Sequence, residues 1–204
     1  MVEQPDGTLA FTGTSPLTGD PPLGFAFMDD TLRYLTFEVD DPNYSYRDFD
    51  FDTDLPLVEF MGKILNATDV DLFRFKAYGG KLLMYHGWAD PATTALRSIQ
   101  YHEEVVAALG NQRQTDRFLR LFLAPGMQHC GGGPGPNTFD TLTTLERWVE
   151  DRIAPDRIIA SHSTGGVVDR TRPLCPYPQV AQYVGTGSID QAENFTCTLP
   201  SAIE

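Results

Sequence analysis

The sequence predicts an α/β fold in which parallel strands are flanked by helices. Residues 81–86 and 118–124 are apolar runs of strand length. An amphipathic helical pattern over residues 91–109 separates the two runs, and a second one over residues 139–150 follows them. This order of strand, helix, strand and helix is typical of a parallel sheet, because parallel strands need a long crossover connection.

The residues before the first strand predict less regular structure. Residues 1–24 are rich in Gly, Pro, Thr and Asp, which indicates an irregular segment. Residues 25–39 are aromatic and apolar and predict a helix, which ends before Pro42. Residues 55–78 predict partly helical structure that stops at Gly79 and Gly80, directly before the first strand.

The two helices that follow the strands have definite predicted faces and ends. On the helix over residues 91–109 the buried face is predicted to carry Leu96, Ile99, Val106 and Leu109. Gly110 is predicted to cap its C-terminus. On the helix over residues 139–150 the predicted buried residues are Phe139, Leu142, Leu145 and Val149. Thr138 or Asn137 is expected to cap its N-terminus.

Only two strong strands can be recognised, and two strands make a poor sheet on their own. Their open edges would act as templates for aggregation. We therefore expect that further strands lie upstream of this sequence.

The charge of the chain excludes several kinds of partner. The net charge is −13 and the isoelectric point about 4.6. Binding to nucleic acid or to an anionic membrane requires clustered Lys and Arg, so neither is expected. No apolar run approaches the roughly 20 residues that span a bilayer, and no signal peptide is visible at the start of the sequence.

The three cysteines, Cys130, Cys175 and Cys197, leave one without a partner if the other two pair. A Cys175–Cys197 bond would close a loop of 22 residues. Cys130 would then be a buried free thiol, or it would pair with a cysteine outside this sequence.

Asp90 follows the first strand and precedes Pro91. By itself this pattern favours a helix N-cap with proline at the first helical position. His129 follows the second strand, 39 residues after Asp90, with one helix and one strand between them. A right-handed crossover of this length places the C-terminal ends of both strands at the same sheet edge. An acid and then a histidine in this order deliver the last two members of the Ser-Asp-His triad in α/β-hydrolases.

The nucleophile of such a triad is missing, because no Ser occurs in a G-x-S-x-G elbow anywhere in the 204 residues. His86 and Trp88 are further candidates for the pocket. A packed histidine at the strand end is the simpler interpretation of His86, and Trp88 either lines the pocket or packs beneath the triad. A metal site at His86, Asp90 and His129 is not expected, since no further ligand has suitable spacing.

Several motifs resemble the tannase and feruloyl esterase family of serine hydrolases, from about residue 25 to residue 197. They are Gly79-Gly80-Lys81-Leu82-Leu83, His86-Gly87-Trp88-Ala89-Asp90-Pro91, Pro125-Gly126-Met127-Gln128-His129-Cys130, Arg147-Trp148-Val149-Glu150 with Ala154-Pro155, and Arg172-Pro173-Leu174-Cys175-Pro176-Tyr177-Pro178.

The resemblance implies specific roles for the site residues. Asp90 would be the triad acid and His129 the general base. Cys130 would pair with the cysteine that precedes the serine, outside this chain, and Cys175–Cys197 would be a structural disulfide. The substrates would be esters of aromatic acids of the feruloyl, galloyl or terephthaloyl type. No cofactor is expected in this chain, because the calcium site of the family belongs to the substrate-binding lid.

The resemblance also implies a domain organisation. Residues 1–50 would be the end of the lid returning to the core, residues 51–170 the C-terminal part of an α/β-hydrolase core, and residues 171–204 a Pro/Gly-rich tail held by a disulfide. The chain alone is expected to be inactive, and the protein to be secreted or periplasmic. A non-catalytic α/β-hydrolase remnant and one half of a two-chain esterase remain as alternatives.

Overall fold

The computed structural model describes residues 2–3, 9–10, 23–129 and 131–200. The chain divides into two units, Met1–Thr68 and Asp69–Glu204. In the described part of the chain, no helix is long and apolar enough to cross a membrane.

The first unit is mainly helical. A short antiparallel pair, β1 (Val2–Glu3) and β2 (Leu9–Ala10), precedes helices α1 (Leu23–Tyr34) and α2 (Leu55–Leu65). The predicted helix over residues 25–39 therefore ends earlier than expected. The Thr36 hydroxyl donates to the Thr31 carbonyl, and the Asp41 N–H donates to the Arg33 carbonyl. These bonds satisfy carbonyls at the helix end, which would otherwise need further helical residues.

The second unit carries the predicted strands and helices. Its elements in chain order are α3 (Phe73–Ala77), β3 (Leu82–Gly87), α4 (Ala95–Leu109), α5 (Gln112–Thr115), β4 (Leu119–Ala124), α6 (Thr141–Glu150), β5 (Ile158–Thr164), β6 (Val167–Leu174), β7 (Val180–Tyr183) and β8 (Phe195–Thr198).

The predicted parallel pairing is confirmed. Strands β3 and β4 run parallel, with His86 opposite Leu123 and Gly87 opposite Ala124. Both strands therefore end at one edge of the sheet, and the loops that follow them meet there.

Strand β4 lies at the centre of the second unit and is buried on both faces. Phe122 and Ala124 pack with residues of β5 and β6. Leu119 packs with Val105 and Leu109 of α4. Burial on both faces explains why β4 is a continuous apolar run without alternation.

The two predicted strands, β3 and β4, form a two-stranded parallel sheet in the described part of the chain, but sequence reasoning missed the four strands that follow them. Strands β5 and β6 form an antiparallel hairpin, and β7 and β8 form another antiparallel pair. Both pairs carry exposed polar residues, because an antiparallel sheet can leave one face in water. The signal for the first hairpin was Gly165-Gly166, both with positive φ, at the turn between β5 and β6. Two adjacent glycines between strand patterns are typical of a tight hairpin turn.

The predicted start of α4 and the faces of two helices need correction. Helix α4 begins at Ala95 and is capped by the Thr94 hydroxyl, not by Asp90. Its buried face is rotated from the predicted one, since Leu96 is exposed and His102 is buried. Helix α6 begins at Thr141, with Asp140 rather than Thr138 or Asn137 as the cap.

The apolar pattern of α6 also predicted the wrong buried face. Trp148 is buried, whereas Leu142 and Val149 are exposed. Trp148 is held by two cations that lie over its ring, Lys81 and Arg120. The predicted C-cap of α4 is confirmed, because Gly110 adopts the left-handed conformation with φ of 86°.

A disulfide joins Cys175, directly after β6, to Cys197 in β8. The predicted bond of Cys130 lies outside the described residues.

Candidate active site

Asp90 lies in a tight turn directly after β3. Its carboxylate oxygen Oδ1 accepts hydrogen bonds from the backbone N–H groups of Ala92 (2.8 Å) and Thr93 (3.0 Å). The carboxylate therefore caps its own turn and not a helix, which corrects the local interpretation of the Asp90-Pro91 pair. The turn holds the side chain in place, and only 4% of it is exposed.

His129 reaches the same place from the loop after β4. The N–H of Ala89 donates to the carbonyl of Met127 at 3.0 Å, and the N–H of Trp88 donates to the carbonyl of Ala124 at 3.0 Å. These backbone bonds tie the two loops together. They bring Nδ1 of His129 to 2.9 Å from Oδ2 of Asp90.

The hydrogen bond between Asp90 and His129 leaves one nitrogen of the imidazole ring available to accept a proton. Nδ1 donates to the carboxylate, so Nε2 is the nitrogen left to accept a proton. No described residue hydrogen-bonds Nε2, and 47% of the His129 side chain is exposed. The ring is thus oriented on one side and accessible on the other.

The carboxylate of Asp90 is stabilised in its ionised form. Burial alone would raise its pKa, but hydrogen bonds from the Thr93 backbone, His129, the Ala92 backbone and the Thr93 hydroxyl outweigh it. The net effect lowers the pKa of Asp90 far below its ordinary value. A negative charge is therefore present beside His129 at neutral pH.

His86 is the third ionisable residue of this cluster. Its Nε2 lies 3.2 Å from Oδ2 of Asp90 and 3.2 Å from the carbonyl oxygen of Thr93. Its Nδ1 lies 2.8 Å from the hydroxyl of Ser98 on α4. The structure thus joins His86 to the Asp90–His129 pair.

Trp88 does not line the pocket that contains Asp90 and His129. The pocket at the pair has a volume of about 150 Å³ and is lined by Tyr85, His86, Gly87, Asp90, Thr93, Met127 and His129. Trp88 lines a different cavity of about 170 Å³, together with Leu123, Tyr177 and Pro178.

Sequence reasoning missed Thr93, which contacts both Asp90 and His86. Its backbone N–H and its hydroxyl donate to Asp90, the hydroxyl at 2.9 Å, and its carbonyl faces His86. The signal was the spacing Asp-x-x-Thr, since Asp and Thr commonly bond nearby backbone groups in turns.

Among the described residues, no group of three or more His, Cys, Asp and Glu side chains is arranged to hold a metal ion. The site contains a buried acid, an accessible histidine and a second histidine that also contacts the acid. An acid and a histidine in adjoining loops, at the C-terminal edge of parallel strands, define the arrangement of α/β-hydrolases.

Residues 18–198 match the family described as tannase and feruloyl esterase. The chain belongs to this family. It is 50% identical over 137 residues to mono(2-hydroxyethyl) terephthalate hydrolase of Piscinibacter sakaiensis, covering 66% of this chain and 22% of that protein. It is 39% identical over 144 residues to a probable feruloyl esterase of Arthroderma benhamiae, covering 69% and 27%.

Solved structures agree with this assignment. Feruloyl esterase B from Aspergillus oryzae superimposes with a TM-score of 0.76 at 27% identity, covering 85% of this chain and 37% of that one. The predicted fold class is thereby confirmed. The chain spans only about a quarter of the length of the two curated relatives named above, 22% of the first and 27% of the second.

Proposed function

We propose that this chain supplies the acid and the general base of a carboxylic ester hydrolase, with Asp90 as the acid and His129 as the base. The observation that carries the proposal is the 2.9 Å contact between Nδ1 of His129 and the buried carboxylate of Asp90, which leaves Nε2 accessible. The nucleophilic serine is proposed to come from outside these 204 residues, because no G-x-S-x-G elbow occurs within them.

The reaction would proceed through an acyl-enzyme. The serine oxygen attacks the ester carbonyl while its proton passes to Nε2 of His129. The ionised carboxylate of Asp90 stabilises the imidazolium that forms and keeps Nδ1 protonated. His129 then protonates the departing alcohol, and water hydrolyses the acyl-enzyme by the same sequence of proton transfers.

The substrates are proposed to be esters of aromatic acids. The names of the relatives support this class, since they refer to terephthalate and feruloyl esters. A secreted or periplasmic location is also proposed, and the Cys175–Cys197 disulfide supports it because disulfides persist in oxidising compartments.

The test requires a longer polypeptide, encoded by this gene segment together with upstream sequence in the same reading frame that contains a candidate serine. The polypeptide that contains both parts is assayed against methyl ferulate, methyl gallate and mono(2-hydroxyethyl) terephthalate. We expect Asp90→Asn to lower kcat by about 10⁴-fold and His129→Ala by about 10⁴- to 10⁶-fold, the orders of magnitude found for triad residues.

The matched control is His162→Ala. His162 also contacts an aspartate through Nδ1, at 2.6 Å from Asp169, but away from the pocket. This variant should retain full activity. A His129→Ala variant that hydrolyses these esters as fast as the parent protein would refute the proposal. Ester hydrolysis by the 204-residue chain by itself would refute only the proposal that the serine lies outside these residues.

A further inference from the structure

We propose that His86 is a positioning residue of this site, which holds the turn over residues 90–93 and thereby fixes the carboxylate that orients His129. Its catalytic consequence rests on the function proposed above, whereas the hydrogen bonding of His86 can be tested without any activity.

The position of His86 allows this role. His86 is the residue before the last one of β3 and lies between the turn at Asp90 and helix α4. Only 14% of its side chain is exposed. One ring nitrogen faces the turn, and the other faces Ser98 on the helix. The imidazole therefore links three elements: the strand, the turn and the helix.

The surroundings of Nε2 define the tautomer of His86. The nearest oxygens are the Thr93 carbonyl at 3.2 Å and the Asp90 carboxylate at 3.2 Å, and both can only accept hydrogen bonds. The Thr93 hydroxyl is more distant from Nε2, at 3.5 Å, and donates its hydrogen to Asp90 at 2.9 Å. Nε2 must therefore carry a hydrogen. Nδ1 is then free to accept the hydroxyl hydrogen of Ser98, at 2.8 Å.

The bond to Thr93 matters for Asp90. The peptide whose carbonyl accepts from His86 belongs to the residue that donates twice to the carboxylate, through its N–H at 3.0 Å and its hydroxyl at 2.9 Å. Without the hydrogen bond from His86, the backbone of Thr93 is held less firmly. The N–H and the hydroxyl of Thr93, which lower the pKa of Asp90, then no longer keep their positions. The carboxylate would then move relative to Nδ1 of His129, and displacements of about 1 Å at a catalytic group can cost about 100-fold in rate.

The array Ser98–His86–Asp90 invites a different interpretation, in which Ser98 is itself a nucleophile. Ser98 does not line the pocket that contains His129, whereas His86 and Thr93 do. The arrangement therefore favours Ser98 as the group that holds His86, and the experiments below separate the two roles.

The first experiment measures the tautomers directly in the 204-residue chain. Two-bond proton–nitrogen NMR spectra at pH 8 report which nitrogen of each of the four histidines carries the hydrogen. We expect the Nε2–H form for His86 and the Nδ1–H form for His129, assigned by loss of the His86 signals in His86→Gln. A neutral His86 in the Nδ1–H form would overturn the proposal, because Thr93 would then receive no hydrogen bond.

The second experiment uses the longer polypeptide that contains the serine. The amide of Gln can place a donor near the position of Nε2, whereas that of Asn reaches only the position of Nδ1. We expect His86→Asn to lower kcat by about 10- to 100-fold with KM changed less than twofold. His86→Gln should restore kcat to within about threefold of the parent, and His162→Asn should have no effect.

Equal losses in His86→Asn and His86→Gln, or a change confined to KM, would overturn the positioning role. Complete loss of activity in Ser98→Ala would also overturn it, because it would make Ser98 the nucleophile. If His129→Ala keeps full activity, the proposed function fails instead, and the tautomer of His86 still decides whether it holds Thr93.

Discussion

Two His–Asp pairs in this chain show how the surroundings of a residue separate a candidate catalytic contact from a surface one. In both pairs Nδ1 contacts a carboxylate within 3 Å, at Asp90 for His129 and at Asp169 for His162. The Asp90 side chain is 4% exposed, whereas that of Asp169 is 42% exposed. Backbone N–H groups donate to Asp90, and His129 borders a pocket. A screened surface pair contributes little, so only the buried one can orient a base firmly.

His102 is a buried histidine that the proposed mechanism does not use. It is fully buried on α4, and among the described residues neither ring nitrogen has a hydrogen-bond partner. Its ring stands edge-on to Tyr177, with centroids 5.5 Å apart. Glu103 accepts the hydroxyl hydrogen of Tyr177 at 2.6 Å, and this hydrogen bond raises the pKa of Tyr177 to about 12.

The burial of His102 predicts a stability that depends on pH. Burial lowers the pKa of His102, while in the unfolded chain it titrates near 6.5. The unfolded state therefore binds more protons below pH 6.5, and stability should fall as the pH decreases from 7 to 5. His102→Phe keeps the ring and removes the unpaired nitrogens, so it should raise the free energy of unfolding at pH 7 by about 1–3 kcal/mol.

Urea denaturation between pH 5 and pH 8 measures this effect. The slope of stability against pH should be smaller in His102→Phe than in the parent chain. His102→Leu provides a second variant if the larger ring overpacks the site. His162→Asn, at a partly exposed position, is the control. A pH dependence identical in the parent and in both His102 variants would contradict the prediction.

At the scale of elements, the site depends on how closely two loops approach. A Cβ atom at Gly87, the last residue of β3, would lie 2.3 Å from the carbonyl oxygen of Met127 and 2.7 Å from that of Gln128. Both contacts are to backbone of the loop that carries His129. Only a residue without a side chain lets this loop lie against the strand end.

Gly87→Ala should therefore separate the two loops. We expect a loss of about 1–3 kcal/mol in the free energy of unfolding, as for overpacking elsewhere in protein cores. The NMR signal of the His129 Nδ1 hydrogen, which is hydrogen-bonded to Asp90, should shift as the distance between the two side chains increases. Chemical denaturation and the NMR spectra described above measure both effects.

Gly131→Ala is the matched control in the same loop. A Cβ atom there meets no atom of the described residues within 4 Å, and the φ of Gly131 is not in the left-handed region. Its stability should stay within about 0.5 kcal/mol of the parent. Similar losses in both variants would show that the loop, and not the contact with Gly87, is sensitive.

At the scale of the whole molecule, the second unit is organised around β4, which is covered by α4 on one face and by β5 and β6 on the other. The pair β7 and β8 contributes few core residues, and Phe195 is the buried aromatic residue among them. The disulfide from Cys175 to Cys197 connects this pair to the end of β6. It replaces the apolar contacts that a small sheet cannot make.

Removal of this disulfide should therefore destabilise the second unit. A closed loop of 22 residues corresponds to about 3 kcal/mol in the chain-entropy model. The double variant Cys175→Ser with Cys197→Ser should lose this amount in chemical denaturation, and reduction of the parent chain should match it. An unchanged midpoint after reduction would contradict the prediction.

Much of the site could be predicted because it depends on chain order. The crossover between β3 and β4 places Asp90 and His129 at one sheet edge whatever the details of the loops. The faces of α4 and α6 could not be predicted in this way. Leu96 and Leu142 fit the apolar pattern but are exposed, while His102 and Trp148 are buried. The pattern on a helix shows which residues can be buried, and the neighbouring elements decide which of them are.

From the sequence alone follow the family resemblance, the parallel pair of strands and the meeting of an acid with a histidine. All three depend on local pattern and on the order of elements along the chain. Only the tertiary structure showed that Thr93 and His86 surround Asp90, and that Trp88 faces another cavity. Hydrogen bonds of this kind require positions within a few tenths of an ångström, and such positions result from the packing of strand, turn and helix together.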